Sequence, residues 1–190
     1  MKSKVAKIIS GVFSPYVVIP IFGVLAIAAL SWHDHFILWS LLFLILTVAT
    51  PVVYVLVSYK RGKISDIHVA VKEQREKPFI VSTLGAAVLF ITYYYFVPQL
   101  AHLAEALVLS GVVFALVTKY WKVSVHAAAF TGGVMIVSFV WGNPNWLWPL
   151  LLLPVIIWAR VVRERHNVAQ SIAAAVLVGL CVFLTVPRSF

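Results

Sequence analysis

Acidic residues are scarce in this chain: six Asp and Glu stand among 190 residues, against fifteen Lys and Arg. Charged residues of both signs make up 11% of the total, hydrophobic residues make up 63%, and the mean hydropathy is +1.02. A soluble domain is typically about 45–50% apolar and about 25% charged, so this composition excludes a soluble globular core and implies one integral membrane domain over 1–190. The acids are Asp34, Asp66, Glu73, Glu76, Glu105 and Glu164. No two aspartates share a motif, which argues against a magnesium-held diphosphate site of the prenyltransferase kind. The last apolar run contains no lysine, which excludes a retinal Schiff base there. Cysteine is reduced to Cys181, so no internal disulfide can form and the redox compartment stays open. His33-Asp34-His35 has no further Cys or carboxylate ligand close by and reads as a surface loop, leaving no metal site.

What the chain has in abundance is long apolar runs. A helix needs about 20 mostly apolar residues to cross a hydrocarbon core of about 30 Å. Seven runs qualify or nearly do, at approximately 11–31, 36–58, 79–97, 101–118, 124–141, 146–160 and 168–186. A lone strand would leave backbone groups unpaired in lipid, so each run is expected to be helical. The expected fold is an all-α polytopic transmembrane bundle of six to seven spans. The basic start Met1–Lys7 leads into a long run with Pro15 and Pro20 and no small-residue cleavage site, as a retained first span would. Trp32, Trp39, Trp121, Trp141, Trp146 and Trp148 lie near run ends, as interfacial anchors do. Pro78 is expected to open the third span, where a missing amide hydrogen costs nothing.

Seven spans place residues 1–10, 59–78, 119–123 and 161–167 on one face and the remaining connections on the other. Every lysine and arginine falls on or beside the first face except Arg188. The positive-inside rule makes that face, with the N-terminus, cytoplasmic. The net charge of +9 is then a topology signal that also suits anionic lipid headgroups, and nothing calls for nucleic acid.

Three polar clusters mark that face: Lys72, Arg75 and Lys77; Ser124 and His126 opening the fifth run; and Arg160, Arg163, Arg165, His166 and Gln170 between the sixth and seventh. Clusters at one membrane edge can converge on one site. Their chemistry suits phosphoryl transfer from a lipid. Arginine grips two phosphate oxygens with a planar fork. Ser124 is placed to cap a helix whose start favours an anion. One histidine can act as nucleophile through a ring nitrogen, a second can protonate the leaving alcohol, and neither needs a metal or other cofactor. His166 and Gln170, four apart, share a helix face, so Gln170 can accept from one ring nitrogen and leave the other free. Arg160 and His166 are six apart and can meet only if a turn separates them.

At these residues the sequence resembles the type 2 phosphatidic acid phosphatases, which carry Lys-x6-Arg-Pro, Pro-Ser-Gly-His and Ser-Arg-x5-His-x3-Asp motifs. Arg160-x5-His166-x3-Gln170 matches the third in spacing, Ser124-Val125-His126 resembles the second, and the stretch around Lys72 and Arg75 resembles the first. The likeness covers about 60–186. It implies that Arg160 binds phosphate, His166 is the nucleophile and His126 the general acid, with Lys72, Arg75, Lys77 and Ser124 as further phosphate ligands. Gln170 stands in the Asp place, Ala159 in the Ser place before Arg160, Val125 in the Gly place and Val123 in the Pro place. With Arg75 as the first motif's arginine, His68 takes the Lys place and Glu76 the Pro place; with Lys77-Pro78 as the pair, Ala70 takes the Lys place.

The expected protein is therefore a metal-independent lipid phosphatase acting on phosphatidate, phosphatidylglycerophosphate or a polyprenyl diphosphate through a phosphohistidine. Its expected partners are the lipid phosphate and the surrounding membrane lipids. The competing expectation is an inactive relative that binds lipid or serves as a scaffold, kept open by Gln170.

Overall fold

The computed structural model describes residues 2–67, 69 and 71–187, with Lys72 by its backbone alone. The described residues hold helices and no strand. Six helical runs are long and apolar enough to cross a membrane: Lys2–Ser31, Phe36–Lys60, Glu76–Phe96, Pro98–Tyr120, Pro144–Val162 and Val168–Thr185. The helix Val125–Val140 is apolar but shorter, at 16 residues. The chain is thus an all-α, multi-pass integral membrane protein. It divides into two compact units, one built from residues 1–30 with 123–190 and the other from 31–122.

The first unit contains α1 (Lys2–Val12), α2 (Pro15–Ser31), α7 (Val125–Val140), α8 (Leu153–Val162) and α9 (Val168–Thr185). Residues 2–10 of the expected connection 1–10 are helical: their lysines lower the hydropathy without breaking the helical period. Pro15 opens α2 at the first helical position, where its absent N–H costs nothing. The α7 helix is the centre of the unit. It buries ten residues and packs against α9, α8 and the 3-10 stretch Pro144–Leu152. Val18, Phe130, Val134 and Ile156 form the core between α2, α7 and α8. The α9 stripe Ser171, Ala174, Ala175, Val178, Cys181 and Val182 has the 3–4 spacing of a packed helix face. At Gly133 an added Cβ would fall 2.7 Å from the Phe22 ring, so that position must stay bare for α2 and α7 to meet.

The sixth run owes its reach to tight winding. Pro144, Pro149 and Pro154 each lack a backbone donor, and the nine residues Pro144–Leu152 wind as a 3-10 helix before α8 begins. At roughly 2.0 Å per 3-10 residue and 1.5 Å per α residue, the whole run covers about 33 Å. It therefore spans a hydrocarbon core that 19 α-helical residues would barely cross.

The second unit contains α3 (Phe36–Leu44), a π turn (Ile45–Ala49), α4 (Thr50–Lys60), α5 (Glu76–Phe96) and α6 (Ala101–Tyr120). Pro51 explains the π turn. The Thr50 N–H reaches back to the Ile45 carbonyl, and Pro51 has no N–H to give, so the Leu46 carbonyl is left without a donor from its own helix. That oxygen faces α5 at Gly85, where a Cβ would land on it. The helices α5 and α6 pack along their lengths, and the Glu76–Lys119 ion pair at 3.2 Å joins the start of one to the end of the other. Trp39 is buried, not an interfacial anchor as its position suggested. Its ring packs edge-on against Tyr93 at 6.0 Å, and the Tyr93 hydroxyl donates to the Trp39 carbonyl at 2.8 Å. The helix α5 begins at Glu76, so Pro78 lies third in its first turn.

Candidate functional site

Ser10, His126, Arg160 and His166 of the first unit gather at one end of α8. Arg160 lies in the last turn of α8 and is 7% exposed. The helix then stops in a six-residue capping motif: the Glu164 N–H donates to the Val161 carbonyl at 2.9 Å and the Arg165 N–H to the Arg160 carbonyl at 3.1 Å. This motif needs a left-handed residue, usually glycine, and here Glu164 supplies it at φ 53°. The reversal is the turn that the six-residue spacing of Arg160 and His166 required. It returns the chain so that His166, two residues on, is again 7% exposed.

His126, in the first turn of α7, completes the cluster. Its Nε2 lies 3.4 Å from Arg160 Nη1. Guanidinium nitrogens only donate, so in this contact Nε2 presents its lone pair and the ring is neutral. His166 and Arg163 lie within electrostatic reach of the same ring, and so does the Ser10 backbone carbonyl, which accepts from it. Arg160 Nη1 also donates to Ser10 Oγ at 3.4 Å. Ser10 is therefore shared by the two groups, and sequence reasoning missed it. The available signal was Ala6 and Ser10, two small residues four apart, which are the buried face of α1 against α8.

Ser124 stands at the N-cap of α7 with extended backbone, as its position implied, and its carbonyl accepts from the Ala128 N–H at 3.1 Å. Its hydroxyl does not cap. Ser124 is 0% exposed, and its Oγ has no hydrogen-bond partner among the described residues. The helix start is thus buried, with a spare hydroxyl and amide donors that its own helix leaves unused.

Gln170 has a different employment from the one its spacing suggested. Its Oε1 accepts from the Asn167 N–H at 3.2 Å, while its own N–H donates to Asn167 Oδ1 at 2.8 Å. This reciprocal capping box opens α9, so the Gln170 carboxamide oxygen is engaged at the helix start. The only acid in residues 1–30 and 123–190 is Glu164, which is exposed. Histidines and arginines therefore gather in surroundings with almost no negative charge, and an anion is the natural complement.

The first-motif residues belong to the second unit. Arg75 is buried there, and its Nε donates to the Val69 carbonyl at 2.8 Å. Ser65 bonds Gln74 Oε1 through both N–H and Oγ at 3.0 Å, so the segment 65–75 is tied to itself. Lys77 is exposed. The Lys72 backbone lies in the 3-10 turn Lys72–Gln74, and its side chain, like His68, Ala70 and Arg188, lies outside the described residues. Among the described residues no group of three or more His, Cys, Asp or Glu could hold a metal ion.

The fold and this cluster define a class: an all-α, multi-pass membrane protein with an arginine and a histidine buried, and a second histidine half-buried beside the arginine, at one end of a helical unit. No family model, curated protein or solved structure matches the chain.

Proposed function

We propose that the protein is a membrane-embedded phosphatase for a lipid phosphomonoester or diphosphate, a reaction of the kind type 2 phosphatidic acid phosphatases carry out. The contact of Arg160 with His126 at 3.4 Å, inside a nearly acid-free unit, is the observation that carries this reading. A buried guanidinium beside an imidazole, in a unit whose single acid is exposed, suits an anionic ligand. A phosphate entering there accepts from Arg160, and the buried Ser124 hydroxyl adds a donor at the positive end of α7.

In the reaction, a ring nitrogen of His166 attacks phosphorus and the bond from phosphorus to the ester oxygen breaks. His126, protonated once the bound anion lies beside it, gives its proton to the departing oxygen and becomes neutral. Water then attacks the phosphohistidine, the N–P bond breaks, His126 takes the water proton, and orthophosphate leaves. Arg160 bears the charge that builds on the transferring group in both steps. The acyl or prenyl tail stays among the apolar helices. The face that carries these residues is cytoplasmic, from the distribution of lysine and arginine among the connections.

A second reading is a protein that binds the lipid phosphate and does not turn it over. The capping box favours it, because Gln170 is committed to Asn167. One experiment separates the two. The purified protein in detergent, with EDTA present, is offered a panel of lipid phosphates beside its His166→Ala variant. Metal-independent phosphate release that the variant abolishes supports the phosphatase. Binding of the same lipids without release, by folded protein, establishes the second reading and ends the first.

A further inference from the structure

The helix α1 is the odd element of the first unit. If Lys2–Ser31 were one straight helix its 30 residues would measure about 45 Å, well beyond a hydrocarbon core of about 30 Å. It is not one helix. Phe13 and Ser14 interrupt it, Pro15 cannot donate to the Gly11 carbonyl, and α1 alone measures about 16 Å. The segment α1 is too short to cross the membrane and exposes both apolar and cationic side chains.

Its residues fall on three stripes. Ala6 and Ser10 are buried against α8. Val5, Ile8 and Val12 are 46%, 67% and 57% exposed on a second stripe. Lys4 and Lys7 are exposed on a third, about 100° around from the apolar one, with Lys2 at the helix start also exposed. A helix with one apolar and one cationic stripe lies in a membrane surface, apolar side down. The Ser10–Arg160 hydrogen bond independently fixes its depth. Arg160 is in the last turn of α8, beside the 163–167 turn where the chain reverses at the membrane edge, so α1 is held at that level.

We propose that α1 is an in-plane helix seated on an anionic lipid leaflet, with Lys2, Lys4 and Lys7 on the headgroups and Val5, Ile8 and Val12 in the upper acyl region. The partner is committed by charge: the unit's single acid, Glu164, cannot match these lysines. Each lysine near an anionic surface is worth about fivefold in partition, and three about a hundredfold. The leaflet then also supports the Ser10 wall of the Arg160–His126 cluster, because that wall is the opposite stripe of the same helix.

The test is made on the full chain in a Cys181→Ala background, with single cysteines at Lys7, Ile8 and, as a reference within the span, Leu25. Each is labelled with an environment-sensitive fluorophore and reconstituted in phosphatidylcholine vesicles with and without phosphatidylglycerol. The Ile8 label is expected to be quenched by nitroxides near the headgroups, the Lys7 label by aqueous quencher, and the Leu25 label by nitroxides deep in the chains. Lys2, Lys4 and Lys7 changed together to Gln, or high salt, should strip the phosphatidylglycerol-dependent part of the Ile8 quenching. An Ile8 label as deep as Leu25, water-quenched in every vesicle, or indifferent to phosphatidylglycerol overturns the proposal. None of these readouts requires phosphatase activity.

Discussion

Replacing Glu164 with glycine should make the protein more stable, although it removes the only acid of its unit. Glu164 holds φ 53°, and two backbone hydrogen bonds, Glu164 N–H to Val161 and Arg165 N–H to Arg160, keep it there. A left-handed backbone costs an ordinary L-residue roughly 1–2 kcal/mol, and glycine nothing. Glycine returns about 0.4–1 kcal/mol through the greater freedom of its unfolded chain. The net gain is about 0.5–1 kcal/mol. For a chain of this size that is about 1–4 °C in Tm. The side chain is exposed, so no packing is lost. Glu164→Ala is the control, since it removes the same charge and keeps the strain. Thermal unfolding in one detergent, followed by helical circular dichroism, should rank Glu164→Gly above Glu164→Ala by that margin. Equal Tm values for the two would show that the turn carries no backbone strain and that the capping argument is wrong.

Other outcomes follow from the same structure. Ser124→Ala should leave Tm unchanged or raise it, because a buried hydroxyl without a partner contributes no bond to lose, yet phosphate release should fall; a fall in Tm of several degrees would count against this placement. Arg160→Lys keeps the charge but loses the planar fork, and should reduce phosphate release by about 10²-fold in a protein that still folds. Gly85→Ala drives a Cβ onto the Leu46 carbonyl, and should cost about 1–3 kcal/mol by thermal or denaturant unfolding. Glu76→Gln breaks an exposed ion pair with Lys119 and should shift stability by less than about 1 kcal/mol.

The helices were legible because lipid leaves the backbone little choice: each apolar run must satisfy its own hydrogen bonds, so hydropathy alone located them. What hydropathy could not register was winding. The 3-10 stretch after Pro144 and the π turn before Pro51 arise from missing donors whose effect depends on neighbours. The helical nature of residues 2–10 was hidden for another reason, since lysines lower an average without disturbing a period. At the cluster, the spacing from Arg160 to His166 implied a turn, and the structure has one. That glutamate would take the glycine place in it was not readable. Ser10 escaped because its partners Arg160 and His126 lie more than a hundred residues away, and the reciprocal bonding of Gln170 with Asn167, three residues before it, was not read from the spacing.

The first unit is discontinuous, and that has a consequence for how the chain is made. Helices α1 and α2 leave the ribosome before the surfaces they bury, on α7 and α8, which follow only after residues 31–122 have been synthesised. At typical translation rates this is a wait of roughly 5 to 20 s. During it Val18 and Phe22 face lipid, which suits them, while Ser10 must be solvated by water or headgroups. Arg160 is made 150 residues after its partner Ser10, and His166 follows it. The cluster is therefore a late event in biogenesis, and a chain stalled before α8 would enter the membrane with α1 and α2 in place and the Arg160 cluster unformed.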